Sequence, residues 1–254
     1  MEEIIRKIKQ KKELSDMPES IIKQSLENYL SKKRISLPNK PKELKLIIKA
    51  VRSDLRKYTG MFQIKSSSKK RSILLKSNKI KELLKTHAST KERLDNYEIL
   101  RKIISRINPA SILDLGCGLN PMAIASANIK YYAYDIKEEE LKLIDSFFKM
   151  KNISGKTFFK DITQESKFPK ADLCLILKTL DVLEKQKKNA SKELIKKINC
   201  KTIVSSFSTK TLSGKPMNSP RRIWFESILK ELNLSFEATK TNNEIFYVID
   251  KCVD

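Results

Sequence analysis

The chain has 254 residues, 40% of them hydrophobic and 33% charged, a balance that excludes intrinsic disorder and allows one large domain or two modest ones. Its 53 Lys and Arg against 30 Asp and Glu leave a net +23, a self-repulsion that points to a polyanionic partner, with nucleic acid first. No run approaches the ~20 apolar residues of a bilayer-spanning helix, and Met1 to Lys12 has no apolar signal-peptide core, so a cytoplasmic protein without a membrane partner is expected.

In chain order, apolar residues first recur at helical spacing from Glu2 to about Leu30 (Ile4, Ile5, Ile8, then Ile21, Ile22, Leu26, Leu30), with Asp16 and Pro18 as a helix-start signal. Pro38 and Pro41 break the chain, and Leu44, Ile47, Ile48, Val51 and Leu55 mark a further amphipathic helix whose other face is Lys and Arg. Lys65-Ser-Ser-Ser-Lys-Lys-Arg71 is polar and cationic, either a solvated loop or an arm that touches RNA through Lys69, Lys70 and Arg71. Ile80 to Leu84 and Leu94 to Ile107 are expected helices, the second ending at Asn108-Pro109, where proline opposes continuation.

The period then changes. Ser111 to Leu115, Tyr131 to Tyr134, Lys156 to Phe159, Ala171 to Leu177, Thr202 to Ser205 and Glu244 to Asp250 have the short apolar pattern of strands. Helical stretches at Met122 to Ala127, Glu138 to Met150, Leu180 to Ile198 and Arg221 to Leu232 separate most of them. Such alternation predicts an α/β fold with a mostly parallel, doubly wound sheet. Charge divides in the same place: residues 1–105 hold 28 basic and 12 acidic side chains, and the remaining 25 basic and 18 acidic contribute only +7. We therefore expect a helical, basic RNA-binding domain at 1–105 and a Rossmann-like domain at 106–254. A compositional bias toward Lys would raise charge everywhere and would not produce that asymmetry.

Five glycines occur in the whole chain, and Gly116 and Gly118 both fall in Asp114-Leu-Gly-Cys-Gly-Leu-Asn-Pro121, directly after the first strand. Glycine there permits a tight strand-to-helix turn and close approach of backbone amides to a ligand. A dinucleotide fingerprint would place a third glycine where Pro121 stands, whereas the shorter D-x-G-x-G form resembles the S-adenosylmethionine loop of Rossmann-like methyltransferases. Asp135 ends the second strand, where a carboxylate can accept ribose hydroxyls, and Asp161 follows the third, where an adenine amino group needs an acceptor. Each alone is more readily a helix cap or a surface carboxylate; in order after a glycine loop, at consecutive strand ends facing one crevice, they read as ligands.

The cysteines Cys117, Cys174, Cys200 and Cys252 form no C-x-x-C pair and His87 is the only histidine, so no metal site is expected and a hydrolase triad would have His87 alone as its base. No N/D-P-P-Y element follows the fourth strand, which argues against methylation of an exocyclic amine.

A series of segments in order resembles one family, the aminoglycoside-resistance ribosomal RNA methyltransferases that modify guanine N7 in the small-subunit decoding region. The segments are Thr86-His-Ala-Ser-Thr-Lys-Glu-Arg-Leu94, Ile112-Leu-Asp-Leu-Gly-Cys-Gly-Leu-Asn-Pro121, Leu175-Ile-Leu-Lys-Thr-Leu-Asp-Val-Leu-Glu184, Val204-Ser-Ser-Phe-Ser-Thr-Lys-Thr-Leu212, Trp224-Phe-Glu226 and Glu244-Ile-Phe-Tyr-Val-Ile249. The resemblance implies S-adenosyl-L-methionine as cofactor and ribosomal RNA within the small subunit as partner, with the enzyme a monomer. It implies that Arg93 binds the cofactor's carboxylate, Asp114, Gly116 and Gly118 its amino-acid part, Asp135 the ribose and Asp161 the adenine, with Ile162 and Leu177 beside them. Lys178 and Glu184 would act near the target base, and Lys210 would join Lys69, Lys70 and Arg71 on RNA. Ser208 and Lys210 stand where the family has proline and arginine, and Gly214 to Arg222 is remodelled, departures that fall on the substrate side. Trp224 shares its helix face with Phe225 and Ile228 and is expected in the core rather than under a base. Two other readings fit the residues: methylation of another RNA or base atom, and a non-catalytic RNA-binding or ribosome-assembly protein.

Overall fold

The computed structural model describes residues 1–11, 14, 15, 17–38, 40–60, 68–211 and 214–251; Asp16, Lys65 to Ser67 and Cys252 lie outside them. The helical spacing at the start yields α1 (Glu2–Lys9), α2 (Glu19–Lys33) and α3 (Pro41–Gly60). Ile4, Ile5 and Ile8 of α1, Ile21, Ile22 and Leu26 of α2 and Ile47, Ile48, Val51 and Leu55 of α3 converge with Leu14 and Met17 into an aliphatic core. Each such side chain contributes roughly 1.5–3 kcal/mol on burial. Pro18 leads into α2 at φ −55°, and Arg34 at φ 53° turns the chain out of it, its N–H on the carbonyls of Leu30 and Ser31.

The following helices belong elsewhere. In α4 (Ser68–Lys76), α5 (Ile80–Leu84), α6 (Ala88–Glu92) and α7 (Tyr97–Ile107), the side chains of Leu75, Leu83, Leu84, Leu100 and Ile104 pack into one cluster with Ile112, Tyr131 and Leu173 of the sheet. By packing, the first unit ends with α3, well before residue 105, and α4–α7 clothe the sheet. The expected cationic arm also differs from Ser68 onward, where it is the first turn of α4.

The sheet contains β1 (Ser111–Leu115), β2 (Lys130–Asp135), β3 (Gly155–Phe159), β4 (Ala171–Leu177), β5 (Cys200–Ser208), β6 (Ser235–Lys240) and β7 (Glu244–Asp250), in the order β3-β2-β1-β4-β5-β7-β6. All neighbours are parallel except β5/β7 and β6/β7. Helix α9 (Glu138–Met150) joins α7 on one face; α10 (Leu180–Gln186), α11 (Ala190–Lys197) and α12 (Ile223–Glu231) cover the other. Trp224, expected in the core, is partly buried and packs edge-on to Phe207 at 5.8 Å against that second cluster. The stretch Leu180 to Ile198 is two helices, because Asn189 sits at φ 66° between them. The edge strand β6 was not foreseen: Phe236 is its only large apolar side chain, so the alternation that marks a strand is missing.

Strand β1 lies between β2, which follows it, and β4, which winds the other way. This reversal opens a crevice past the carboxyl ends of β1 and β4, where open α/β sheets bind ligands.

Candidate active site

The turn after β1 brings backbone to the crevice at Gly116 (φ 74°) and Gly118 (φ 50°). A Cβ on Gly116 would lie 2.7 Å from Thr179 Oγ1, and one on Gly118 2.8 Å from His87 Cε1, so both positions exclude side chains on space as well as conformation. Gly116 and Cys117 donate their N–H groups to the Tyr134 carbonyl. Asn120 anchors the far end of the turn, accepting from Arg93 Nη1 and from the Tyr97 hydroxyl, each at 2.8 Å, just before Pro121 opens α8 (Pro121–Ile124).

Asp135 closes β2. Its Oδ2 accepts from Gly118 N at 2.8 Å, and its Oδ1 from Ile136 N and Lys137 N at 2.7 and 3.1 Å. A carboxylate has about four acceptor positions, so one on Oδ2 remains for a ligand hydroxyl. Burial, then the nearby Glu140 carboxylate, raises the Asp135 pKa. Asp161 follows β3, its Oδ1 accepting from the amide and hydroxyl of Thr163 at 3.0 and 2.8 Å. After β4, Lys178 adopts φ 58°, a left-handed conformation that costs a non-glycine residue roughly 1–2 kcal/mol, and its Nζ lies 2.7 Å from Glu92 Oε2 and 4.0 Å from Glu244 Oε2.

These groups meet in a cleft of about 880 Å³ lined by Gly116, Gly118, Asp135, Asp161, Ile162, Leu177 and Lys178. Lys137 Nζ and Glu140 Oε2, which also border it, are buried with no hydrogen-bond partner among the described residues; Lys137 Nζ lies 3.7 Å from Glu140 Oε1, and Glu140 Oε2 3.7 Å from His87 Nε2. An unsatisfied buried ammonium and carboxylate suit a ligand with polar ends. The glycine turn admits a chain close against its backbone, and the Ile162 and Leu177 side chains suit an aromatic ring. The residues therefore fit an adenosine-bearing, zwitterionic cofactor.

Comparison with known proteins agrees with this geometry. Residues 75–248 match the family described as ribosomal RNA methyltransferase (FmrO). The chain belongs to that family. A 16S rRNA (guanine(1405)-N(7))-methyltransferase of Serratia marcescens is 31% identical over 215 residues, 83% of this chain and 85% of the relative. One of the same description from Frankia casuarinae is 30% identical over 179 residues, 67% of this chain and 63% of the relative. Among solved structures, the 16S rRNA methyltransferase RmtF in complex with S-adenosyl-L-homocysteine superposes with a TM-score of 0.83 at 26% identity, over 98% of this chain and 97% of the other. The 16S rRNA methylase RmtB gives 0.81 at 25% identity, with 98% of each chain covered.

In this ribosomal RNA methyltransferase several expected residues stand away from the cleft. Arg93 is fully buried, with Nε and Nη2 on Glu244 at 3.0 and 2.6 Å and Nη1 on Asn120, so it supports the glycine turn from behind and is not among the residues lining the cleft. Its pKa rises because, although burial is the largest single effect and lowers it, Glu244 and Tyr97 together outweigh burial. Asp114 is likewise interior, accepting from the Tyr131 hydroxyl at 2.7 Å, and burial pushes its carboxyl up to about 7. Glu184 accepts from Asn189 N and Ser191 N at 2.6 and 3.1 Å, tying the α10–α11 break; Glu92, not Glu184, pairs with Lys178. Arg71 is buried on Thr86, with Glu140 at 3.5 Å, and is withdrawn from any RNA surface, whereas Lys69 and Lys70 are exposed. Lys210, half-buried, bridges by its backbone to Pro216.

Other residues of the cleft went unassigned. His87 lies under Gly118, and burial, followed by Lys137, pushes its imidazole down to about 3, so it is neutral. Its being the only histidine was a signal. Lys137 and Glu140 had none beyond closeness to Asp135. Among the described residues no cluster of His, Cys, Asp and Glu is placed to hold a metal, and no helix is long and apolar enough to cross a membrane.

Proposed function

We propose that this enzyme transfers a methyl group from S-adenosyl-L-methionine to N7 of a guanine in small-subunit ribosomal RNA, in the decoding region. The observation that carries the reading is the convergence of the glycine turn, Asp135 and Asp161 in one cleft at the β1/β4 reversal, in a chain of this family. The relatives named above are described as acting on guanine 1405 N7, and RmtF was solved with the demethylated cofactor.

The bound cofactor supplies an electrophilic sulfonium methyl. Gly116 and Gly118, having no side chains, would let its amino-acid part lie against the backbone of the turn, Asp135 would accept from the ribose, and Asp161 would accept from the adenine amino group beside Ile162 and Leu177. Arg93 acts at one remove, fixing Asn120 and so the turn. Guanine N7 is unprotonated at neutral pH and carries an available lone pair, so the chain needs no general base; positioning suffices, worth roughly 7–11 kcal/mol where it is complete. Lys178, fixed by Glu92 at the mouth of the cleft, is suited to hold O6 or a phosphate of the target. It is not suited to touch N7, where methylation creates positive charge.

N7 in an A-form helix faces a groove too deep and narrow for side chains, so the target must be displaced or distorted, which an assembled subunit provides more readily than naked RNA. In this reading α1–α3 dock on RNA, the sheet with α4–α7 carries out transfer, and Lys69, Lys70 and Lys210 lie toward phosphates. One chain supplies the whole cleft and N7 chemistry calls for no metal, so the enzyme works as a metal-free monomer where ribosomes are, in the cytoplasm. The test is mass spectrometry of ribosomal RNA after treatment of assembled small subunits and of naked RNA. One 7-methylguanine in the decoding region of the subunits is expected; a methyl on an exocyclic amine or on ribose would overturn the reading.

A further inference from the structure

The helical unit contributes to the cleft. The first turn of α2 lies over the carboxyl end of β3, where Ser20 Oγ stands 3.4 Å from Asp161 Oδ2 and Ile21 lines the same cleft as Asp161 and Ile162. Farther along α2, Asn28 Nδ2 donates to the Gln186 carbonyl at 3.3 Å, at the end of α10. From the sheet side, Ile136, next to Asp135, packs against the core of α1–α3.

This seam is thin. Ile136 is the only side chain of the sheet unit in the helical cluster among the described residues, and the hydrogen bonds across the seam from Ser20 and Asn28 are long and partly exposed. Beside it a groove of about 1310 Å³ separates α2 and α3 from α10 and shares Ile21, Val182 and Gln186 with the cleft. Units joined by so little are expected to move relative to each other, and a ligand seated against both adds contacts only when they are docked.

We propose that Ser20 and Ile21 are part of the methyl donor's site, closing its adenine end, and that cofactor occupancy is thereby coupled to docking of the basic helical unit. The proposal rests on reading Asp161 as the partner of adenine. The Ser20 hydroxyl shares that carboxylate, and Ile21 adds an apolar side chain to the same end of the cleft as Ile162. Coupling of this kind is reciprocal: RNA that holds the helical unit docked tightens cofactor binding by the same factor by which cofactor tightens RNA binding. A loaded enzyme thus presents its cationic helices in the arrangement its substrate meets, and the demethylated product, which keeps the adenosine, has the same effect.

Amide hydrogen exchange of the full chain, with S-adenosyl-L-homocysteine at saturation set by calorimetric titration, tests this. Slower exchange is expected at residues 19–26 as well as across 115–121, and Ile21→Ala should weaken the ligand roughly 5- to 30-fold, as expected for about two buried methyl-sized groups. Ser20→Ala, which removes no core side chain, should weaken it less, with exchange in α1 and α3 unchanged. Saturable binding that protects 115–121 but leaves 19–26 untouched, with Ser20→Ala binding like the parent, would sink the coupling and spare the active-site reading. Absence of saturable binding would remove both.

Discussion

The helical unit and the sheet unit bury their side chains by opposite rules. The core of α1–α3 is aliphatic, built from Ile, Leu, Val and Met, and among the described residues none of its charged side chains is fully buried. The sheet unit instead buries Arg71, Arg93, Asp114, Asp135, Glu140, Lys178, Glu226 and Glu244. Buried charge is costly unless paired and hydrogen-bonded, so its concentration on one side marks where direction matters. Attraction to a polyanion needs only exposed charge, which a solvated helix face supplies at little cost. Recognition by charge and positioning of a reacting group are thus separated along the chain.

Four measurements put that contrast at risk. The largest effect is expected at Lys178: replacing it with Ala should lower kcat by about 10²–10³ while S-adenosyl-L-homocysteine affinity stays within about threefold. A large loss of cofactor affinity would move Lys178 from the substrate side to the cofactor side. Next is Glu244→Gln, which strips the carboxylate from fully buried Arg93 and should cost about 3–5 kcal/mol in denaturant unfolding. A cost near zero would show that the buried pair is not the keystone of the turn.

The helical unit should answer differently. Lys42, Lys45 and Lys49 lie exposed along one side of α3. Changing all three to Gln should leave stability and kcat at saturating subunit unchanged, yet reduce the slope of log affinity against log salt by roughly 2, at about 0.7 for each phosphate no longer neutralised. An unaltered slope would place the RNA-binding surface elsewhere.

The smallest effect concerns Asp114, whose carboxyl burial raises to about 7 from the ordinary 3.8. The folded state then binds this proton more tightly than the unfolded one. Its stabilising contribution is complete below about pH 4 and is lost as pH climbs through about 7. Relative to Asp114→Asn, the parent's melting temperature should fall by a few degrees between about pH 5 and about pH 8; parallel curves would mean that Asp114 stays charged throughout.

The legibility of the sequence followed the same division. Strands β1, β4 and β7 were found at their full extent, because buried parallel or central strands are continuous apolar runs. The glycine turn was legible because glycine is scarce here and two stand together after a strand. Arg93 and Glu184 were placed near the reaction by family resemblance, yet Arg93 is held inward by Glu244 and Glu184 is held at the surface by the amides opening α11. Arg71 looked like part of a cationic arm and lies instead beneath α9, on Thr86 and Glu140.

The order of residues was enough to set the elements through their periods, the cofactor turn through Gly116 and Gly118, and the search for a polyanionic partner through net charge. These are local or additive properties, and neighbours in the chain suffice to set them. Which charged side chains face the cleft was settled by packing in three dimensions: Arg93 meets Glu244 across 151 positions and Ser20 meets Asp161 across 141. Where a side chain points depends on what distant segments place against it, and no spacing along the chain carries that information.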